Sequence, residues 1–155
     1  MSRLTETSDA APAFIDRVAL QSSDLIALIG RLALGWIFLS SGYLKLTAIA
    51  GFTAALTKQG VPAPSFMAWL GAIVEFGGGI LVIVGLGTRY AAVLMILFVI
   101  VATAISHRYW EYPVEQLVAQ RGNFFKNLTI LGGYLFLFLH GAGRLSVDGV
   151  MGKKR

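Results

Sequence analysis

The chain has 155 residues, enough for one domain and few for two, and it is 56% hydrophobic with 14% charged residues and a mean hydropathy of +0.72. A soluble protein of this size is mostly surface and could not cover it with so few charges, and the apolar content excludes a disordered chain. The absence of cysteine removes disulfides, thiolate metal sites, iron–sulfur clusters and any thiol relay within the chain.

Residues 1–24 read as an extramembrane tail interrupted by Arg3, Glu6, Asp9, Asp16, Arg17 and Asp24. Acids this frequent do not suit a cleavable signal sequence, so the tail is expected to be retained. Within it, Ala13 to Leu20 has the pattern of a short amphipathic helix at a membrane surface, or else of a mobile tail.

Four apolar spans follow: Leu25–Leu46, Ser65–Leu86, Tyr90–Ser106 and Asn127–Gly143. Each is about 20 residues, enough to cross about 30 Å of hydrocarbon. Membrane-spanning β-strands would be half as long and alternating, so helices are predicted. Ser22, Ser23 or Asp24 is placed to cap the first span. The stretch Gly51–Leu56 reads as a short interfacial helix, followed by an extended approach through Gly60-Val61-Pro62-Ala63-Pro64. Gly85–Arg89 reads as a tight turn. His107–Lys126 reads as a connection whose Tyr109, Trp110, Tyr112, Phe124 and Phe125 suit a headgroup layer. The expected fold is therefore all-α, a four-helix transmembrane bundle with short interfacial helices in the extracytoplasmic connections.

An even number of spans puts both termini on one side. That side would carry Arg3, Arg17, Arg31, Arg89, Arg144, Lys153, Lys154 and Arg155, against Lys45, Lys58, Arg108, Arg121 and Lys126 opposite. The positive-inside rule then makes both termini cytoplasmic. The net charge of +5 is thus read as membrane orientation and not as a nucleic-acid footprint. A weak internal repeat, Gly78-Gly79 to Gly85-x-Gly87 against Gly132-Gly133 to Gly141-x-Gly143, suggests two related helical hairpins, or convergent use of glycine at helix ends.

In the first span Arg31, Gly35, Phe38, Gly42 and Lys45 recur at steps of four, three, four and three, so they share one face. A face of charge and glycine is expected to look into the bundle. Arg31 is expected to find an interior partner, and Lys45 to snorkel to water. Glu75 sits midway along the second span, where a lone carboxylate costs a few kcal/mol. Counting rise from the membrane boundary places Arg31 and Glu75 about 7 Å apart in depth. An Arg31–Glu75 pair is expected, or a Glu75 kept protonated by desolvation. A structural pair and a proton or ligand role both remain open.

At the opposite mouth, Ser41 and Lys45, then Thr103, Ser106 and His107, then Lys126, Asn127 and the deeper Tyr134 arrive from three helices. Such a mouth above an apolar interior could receive a quinone headgroup or a small anion, or form an ordinary interfacial belt. His107 and His140 lie at opposite membrane faces and cannot share a haem, and no cluster of metal ligands is legible.

This ordered set resembles the DoxX family of small bacterial inner-membrane proteins. The residues that carry the likeness are Arg31-x3-Gly35-x2-Phe38-x3-Gly42-x2-Lys45, Gly60-Val61-Pro62, Glu75-x2-Gly78-Gly79, Gly85-x2-Thr88-Arg89, His107, Lys126-Asn127-Leu128, Gly132-Gly133 and Gly141-x-Gly143-Arg144-x-Ser146-x-Asp148. They divide the chain into a cytoplasmic tail (1–24), a DoxX-like membrane domain (25–148) and a basic cytoplasmic tail (149–155). The family takes its name from a membrane component associated with thiosulfate:quinone oxidoreductase. The resemblance therefore implies an accessory or quinone-associated subunit of a membrane oxidoreductase system, with the lipid bilayer and a larger redox complex as partners, and no covalently bound cofactor. Without cysteine, autonomous thiol chemistry is not expected. A non-catalytic assembly subunit and a small-metabolite transporter are the alternatives, and the oligomeric state is left open.

Overall fold

The structure, a computed structural model, describes residues 13–152. The tail readings that rest on Arg3, Glu6 and Asp9 and on 153–155 fall outside them. The described chain is helical: α1 (Phe14–Gln21), α2 (Ser23–Thr47), α3 (Ile49–Lys58), α4 (Pro64–Val84), α5 (Thr88–Ser106), a 3-10 turn (Tyr109–Glu111), α6 (Val114–His140) and α7 (Val147–Gly152). Helices α2, α4 and α5, the last with its 3-10 extension, are long and apolar enough to cross a membrane. The fourth long helix, α6, differs from the expected span. It begins at Val114, well before Asn127, so most of the supposed third connection is helix. Gln116, Gln120, Arg121, Asn123, Lys126 and Asn127 make that first half polar.

Helix α2 packs along α4, and α5 packs along α6, which is the pairing expected of two hairpins. The α2–α4 seam is built from glycine. The buried residues of α2 are Arg31, Gly35, Phe38 and Gly42, four of the five on the face that the spacing picked out. A Cβ on Gly42 would sit 2.5 Å from the Phe76 amide nitrogen and 2.7 Å from its Cα. One on Gly79 would sit 2.7 Å from the Leu39 nitrogen. Because the obstacle is main chain, it cannot rotate away. Gly42→Ala is expected to cost about 1–3 kcal/mol through forced separation of the helices. Gly30→Ala, at a position with nothing within 4 Å, should be neutral or mildly stabilising, since alanine is the better helix former. Thermal unfolding in detergent checks the pair, and equal midpoints for the two variants would refute the seam.

Phe38, Val82, Ala91, Ala92, Met95, Val99, Tyr134 and Leu137 form the central core. Many large apolar side chains point outward, among them Leu25, Trp36, Leu44, Phe66, Trp69, Leu97, Phe136 and Leu139. In water this would be untenable; facing lipid it is the expected surface. The amphipathic stretch expected in the tail is present as α1, with Phe14, Ile15, Val18 and Leu20 all exposed.

None of the three candidate caps closes the start of α2. The hydroxyls of Ser22 and Ser23 donate back to the carbonyls of Val18 and Leu20. Asp24 instead accepts the Arg144 amide at 2.7 Å.

Candidate functional site: a lysine–glutamate cavity and a separate arginine clasp

Glu75 is 3% exposed, and its partner is Lys45, whose Nζ contacts Oε2. This corrects the expected Arg31–Glu75 pair. The depth count takes the start of α2 and the end of α4 to lie flush at the same boundary. In the structure Gly42 is level with Phe76 and Leu39 with Gly79, so the start of α2 overhangs the end of α4 by about three turns. Arg31 is then on the order of 18 Å from the level of Glu75. Lys45 does not snorkel outward. Helical side chains lean toward the N-terminus of their own helix, so a lysine near the end of α2 reaches back toward the middle of the bundle. The Phe52 ring of α3, its centroid 5.0 Å from Nζ, covers the ammonium from outside.

The pair opens on a cavity of about 120 Å³ lined by Ser41, Lys45, Glu75, His107, Lys126 and Asn127, with Ile37, Phe38, Phe98, Val99, Ala102 and Ile130 as its apolar wall. The structure thus brings together Ser41, Lys45, His107, Lys126 and Asn127 from the expected mouth and adds Glu75 to them. Thr103 stands behind them: its hydroxyl accepts the Asn127 amide at 2.8 Å and so fixes that side chain. His107 Nδ1 lies 2.8 Å from Gln120 Oε1, which leaves Nε2 as the group free to act. Tyr134 does not line the cavity. It is fully buried beneath it, its ring 5.7 Å from that of Phe38, and its hydroxyl has no hydrogen-bond partner. Gln120 is the residue that the sequence reading does not include. Gln120, Asn123 and Asn127 follow helical spacing, a signal available only once 114–126 is taken as helix. Among the described residues no group of His, Asp and Glu is placed to hold a metal ion.

Arg31, 1% exposed, does a different job at the other end. Its Nη1 donates to the carbonyl of Ile83 at 2.7 Å and more weakly to that of Val82 at 3.4 Å, and Nη2 donates to the carbonyl of Leu145. Val82 and Ile83 belong to the last turn of α4, whose carbonyls have no partner within the helix. A cation there also suits the negative end of the helix dipole. Beside it, Asp148 of α7 accepts the amides of Gly87 at 2.7 Å and Thr88 at 2.8 Å. These are the first amides of α5, which has no side-chain cap of its own, so Asp148 caps it from a distant part of the chain. The Asp148 amide in turn donates to the carbonyl of Gly85 at 2.9 Å. Burial alone would raise the Asp148 carboxyl, but the Thr88 and Gly87 amides together with the Arg31 guanidinium hold it below its ordinary value.

The family model for DoxX matches residues 26–108. The chain belongs to the DoxX family. It is similar to inner membrane protein YphA of Escherichia coli, 32% identical over 80% of this chain and 89% of the relative. It is also similar to inner membrane protein YqjF of E. coli, 34% identical over 84% and 95% of the two chains. Membrane protein Rv3486 of Mycobacterium tuberculosis is 30% identical over 96% of this chain and 94% of the relative. No solved structure matches the chain. Set on the structure, the polar DoxX-like residues include two clusters, apart from the glycines of the α2–α4 seam. Lys45, Glu75, His107 and Asn127 surround the cavity. Arg31, Gly85, Thr88, Ser146 and Asp148 belong to the clasp. This DoxX protein is a membrane protein; its first cluster lines a cavity and its second closes the turns at the other end.

Proposed function

We propose that this chain is a quinone-associated accessory subunit of an inner-membrane oxidoreductase system, spanning the bilayer four times with both termini cytoplasmic. Supporting the fourth span is the length of α6 (27 residues), whose second half is apolar and packs on α5. Supporting the orientation is the larger number of basic residues on the side of the termini. By sequence order that side has eight, Arg3, Arg17, Arg31, Arg89, Arg144, Lys153, Lys154 and Arg155, against five opposite, Lys45, Lys58, Arg108, Arg121 and Lys126.

One observation carries the ligand reading: a lysine–glutamate pair opens into a cavity with donors on one side and aromatic and branched walls on the other. A quinone needs that combination, polar contacts for its carbonyl oxygens and an apolar path for its ring and tail. The volume is about that of four water molecules, so the cavity fits a carbonyl edge and not a whole headgroup with its tail. Lys45 and Asn127 would donate to that edge, His107 Nε2, with its Nδ1–H given to Gln120, would accept from the hydroxyl of the reduced quinone, and Phe98 and Ile130 would flank the ring. When bound, the quinone supplies two-electron redox chemistry; the chain's own part is to orient the carbonyl and to keep Glu75 and His107 within reach for proton exchange.

Protein extracted without stripping its lipids is expected to carry quinone, and Asn127→Leu and His107→Ala should each lower the quinone-to-protein ratio about tenfold, the worth of one hydrogen bond to a ligand in a water-poor site. Quinone content unchanged in both variants would sink the reading. The small cavity and the internally neutralised pair favour the alternative, a non-catalytic assembly subunit. That reading expects unchanged quinone content together with migration inside a large complex on native gels.

A further inference from the structure

At the same end of the molecule, but separate from the lysine–glutamate cavity, a wider cleft of about 430 Å³ lies between α3, the end of α5 and the 3-10 turn. Its lining is Ala55, Lys58, Gln59, Ile105, Arg108, Glu111 and Tyr112. We infer that this cleft binds the phosphoryl group of an anionic ligand, through the Lys58 ammonium, the Gln59 amide and the Arg108 guanidinium.

The cleft is held in shape by Ser106. Its hydroxyl donates to Gln59 Oε1 at 3.1 Å, and its carbonyl accepts the Tyr112 hydroxyl at 3.0 Å. One residue thereby ties α3 on one wall to the 3-10 turn on the other. With Oε1 engaged, the Gln59 Nε2 is the group turned to a ligand, and the Tyr112 proton is already spent. Lys58 makes no ion pair with any described residue. Arg108 Nε is 3.1 Å from Glu111 Oε2 without hydrogen-bond geometry, which leaves its terminal nitrogens for a second partner. The groups left over are donors, and the two cations exceed the one carboxylate. A donor-only set with a guanidinium fork and an ammonium suits a phosphoryl oxyanion. The apolar side is Ala55 and Ile105. A phospholipid headgroup and a free phosphate share this chemistry.

The test uses the full chain, delipidated and returned to nanodiscs of phosphatidylcholine with or without phosphatidylglycerol, alongside a thermal-shift titration with inorganic phosphate. Retention of phosphatidylglycerol over phosphatidylcholine after detergent exchange is expected, and Lys58→Gln and Arg108→Gln should each weaken it about fivefold. Glu111→Gln removes the competing carboxylate and should strengthen it, which keeps the proposal testable if a charge-removing variant folds poorly. Lipid selectivity that depends on these residues, without a phosphate shift, assigns the headgroup. A phosphate-induced shift lost in the same variants, without lipid selectivity, assigns the free anion. Equal retention of both lipids and no phosphate shift, or effects indifferent to all three substitutions, overturn the site.

Discussion

Lys45→Met is expected to destabilise the protein by about 3–5 kcal/mol, the cost found when one member of a buried ion pair is removed and the other left behind. Glu75 is nearly inaccessible, and among the described residues its one ion-pair partner is Lys45. The double substitution Lys45→Met with Glu75→Leu should recover much of that loss, because the desolvation cost disappears along with the attraction. Unfolding in detergent measures both. A single variant as stable as the parent would show that Glu75 is neutralised by something other than Lys45. A double variant that is stable but has lost its quinone would separate the ligand role of the pair from its structural one. If it is stable and retains its quinone, the pair serves packing and the ligand reading loses its centre.

Arg31→Leu should cost about 3 kcal/mol or more, since the Ile83 and Leu145 carbonyls lose their donor and each buried orphan costs about 1–3 kcal/mol. Arg31→Lys keeps the charge but not the planar fork that reaches both α4 and the segment before α7, and should fall between the two. Limited proteolysis around 141–148 should accelerate in step with the loss. Arg89→Gln is the control: that side chain is exposed and makes one long bond to the Leu139 carbonyl at 3.3 Å. Equal stability of Arg31→Leu and Arg89→Gln would overturn the clasp. Acid should loosen the same clasp. Asp148 has a lowered folded-state value, so its contribution is present above the ordinary carboxylate range and is lost as pH falls through the lowered value.

How far the sequence could be read depended on whether a helix announced itself by period. The α2 face was legible because glycine and charge at steps of three and four leave one geometric reading, and the structure buries Arg31, Gly35, Phe38 and Gly42 together. Glu75 facing inward was legible from the cost of a lone carboxylate midway along an apolar span. Its partner was not, because depth counted along separate helices carries no information on how far one overhangs another. That offset is set by where the glycines of α2 meet the backbone of α4, a tertiary fact. The first half of α6 was hidden by its composition: Gln116, Gln120, Arg121 and Asn123 look like a connection, with no apolar stripe to mark the helical period. The convergence of Ser41, Lys45, His107 and Asn127 on one cavity was anticipated. Tyr134 was placed in that group by helix phase, but it lies a layer below, under Phe38. The role of Asp148 left no signal that the chain alone could show, since a cap supplied across 60 positions has no spacing rule.

That long-range cap sets an order of events during biogenesis. A ribosome delivers α4 and α5 to the insertion machinery well before it reaches residue 148. Until then the opening amides of α5 and the Gly85 carbonyl must be served by water or lipid headgroups, whereas the Val82 and Ile83 carbonyls already have Arg31 of the earlier-made α2. The hairpin therefore matures last at its own bend. A nascent chain stalled short of this aspartate would expose an unfinished turn to membrane quality-control proteases, however completely its helices had already been inserted.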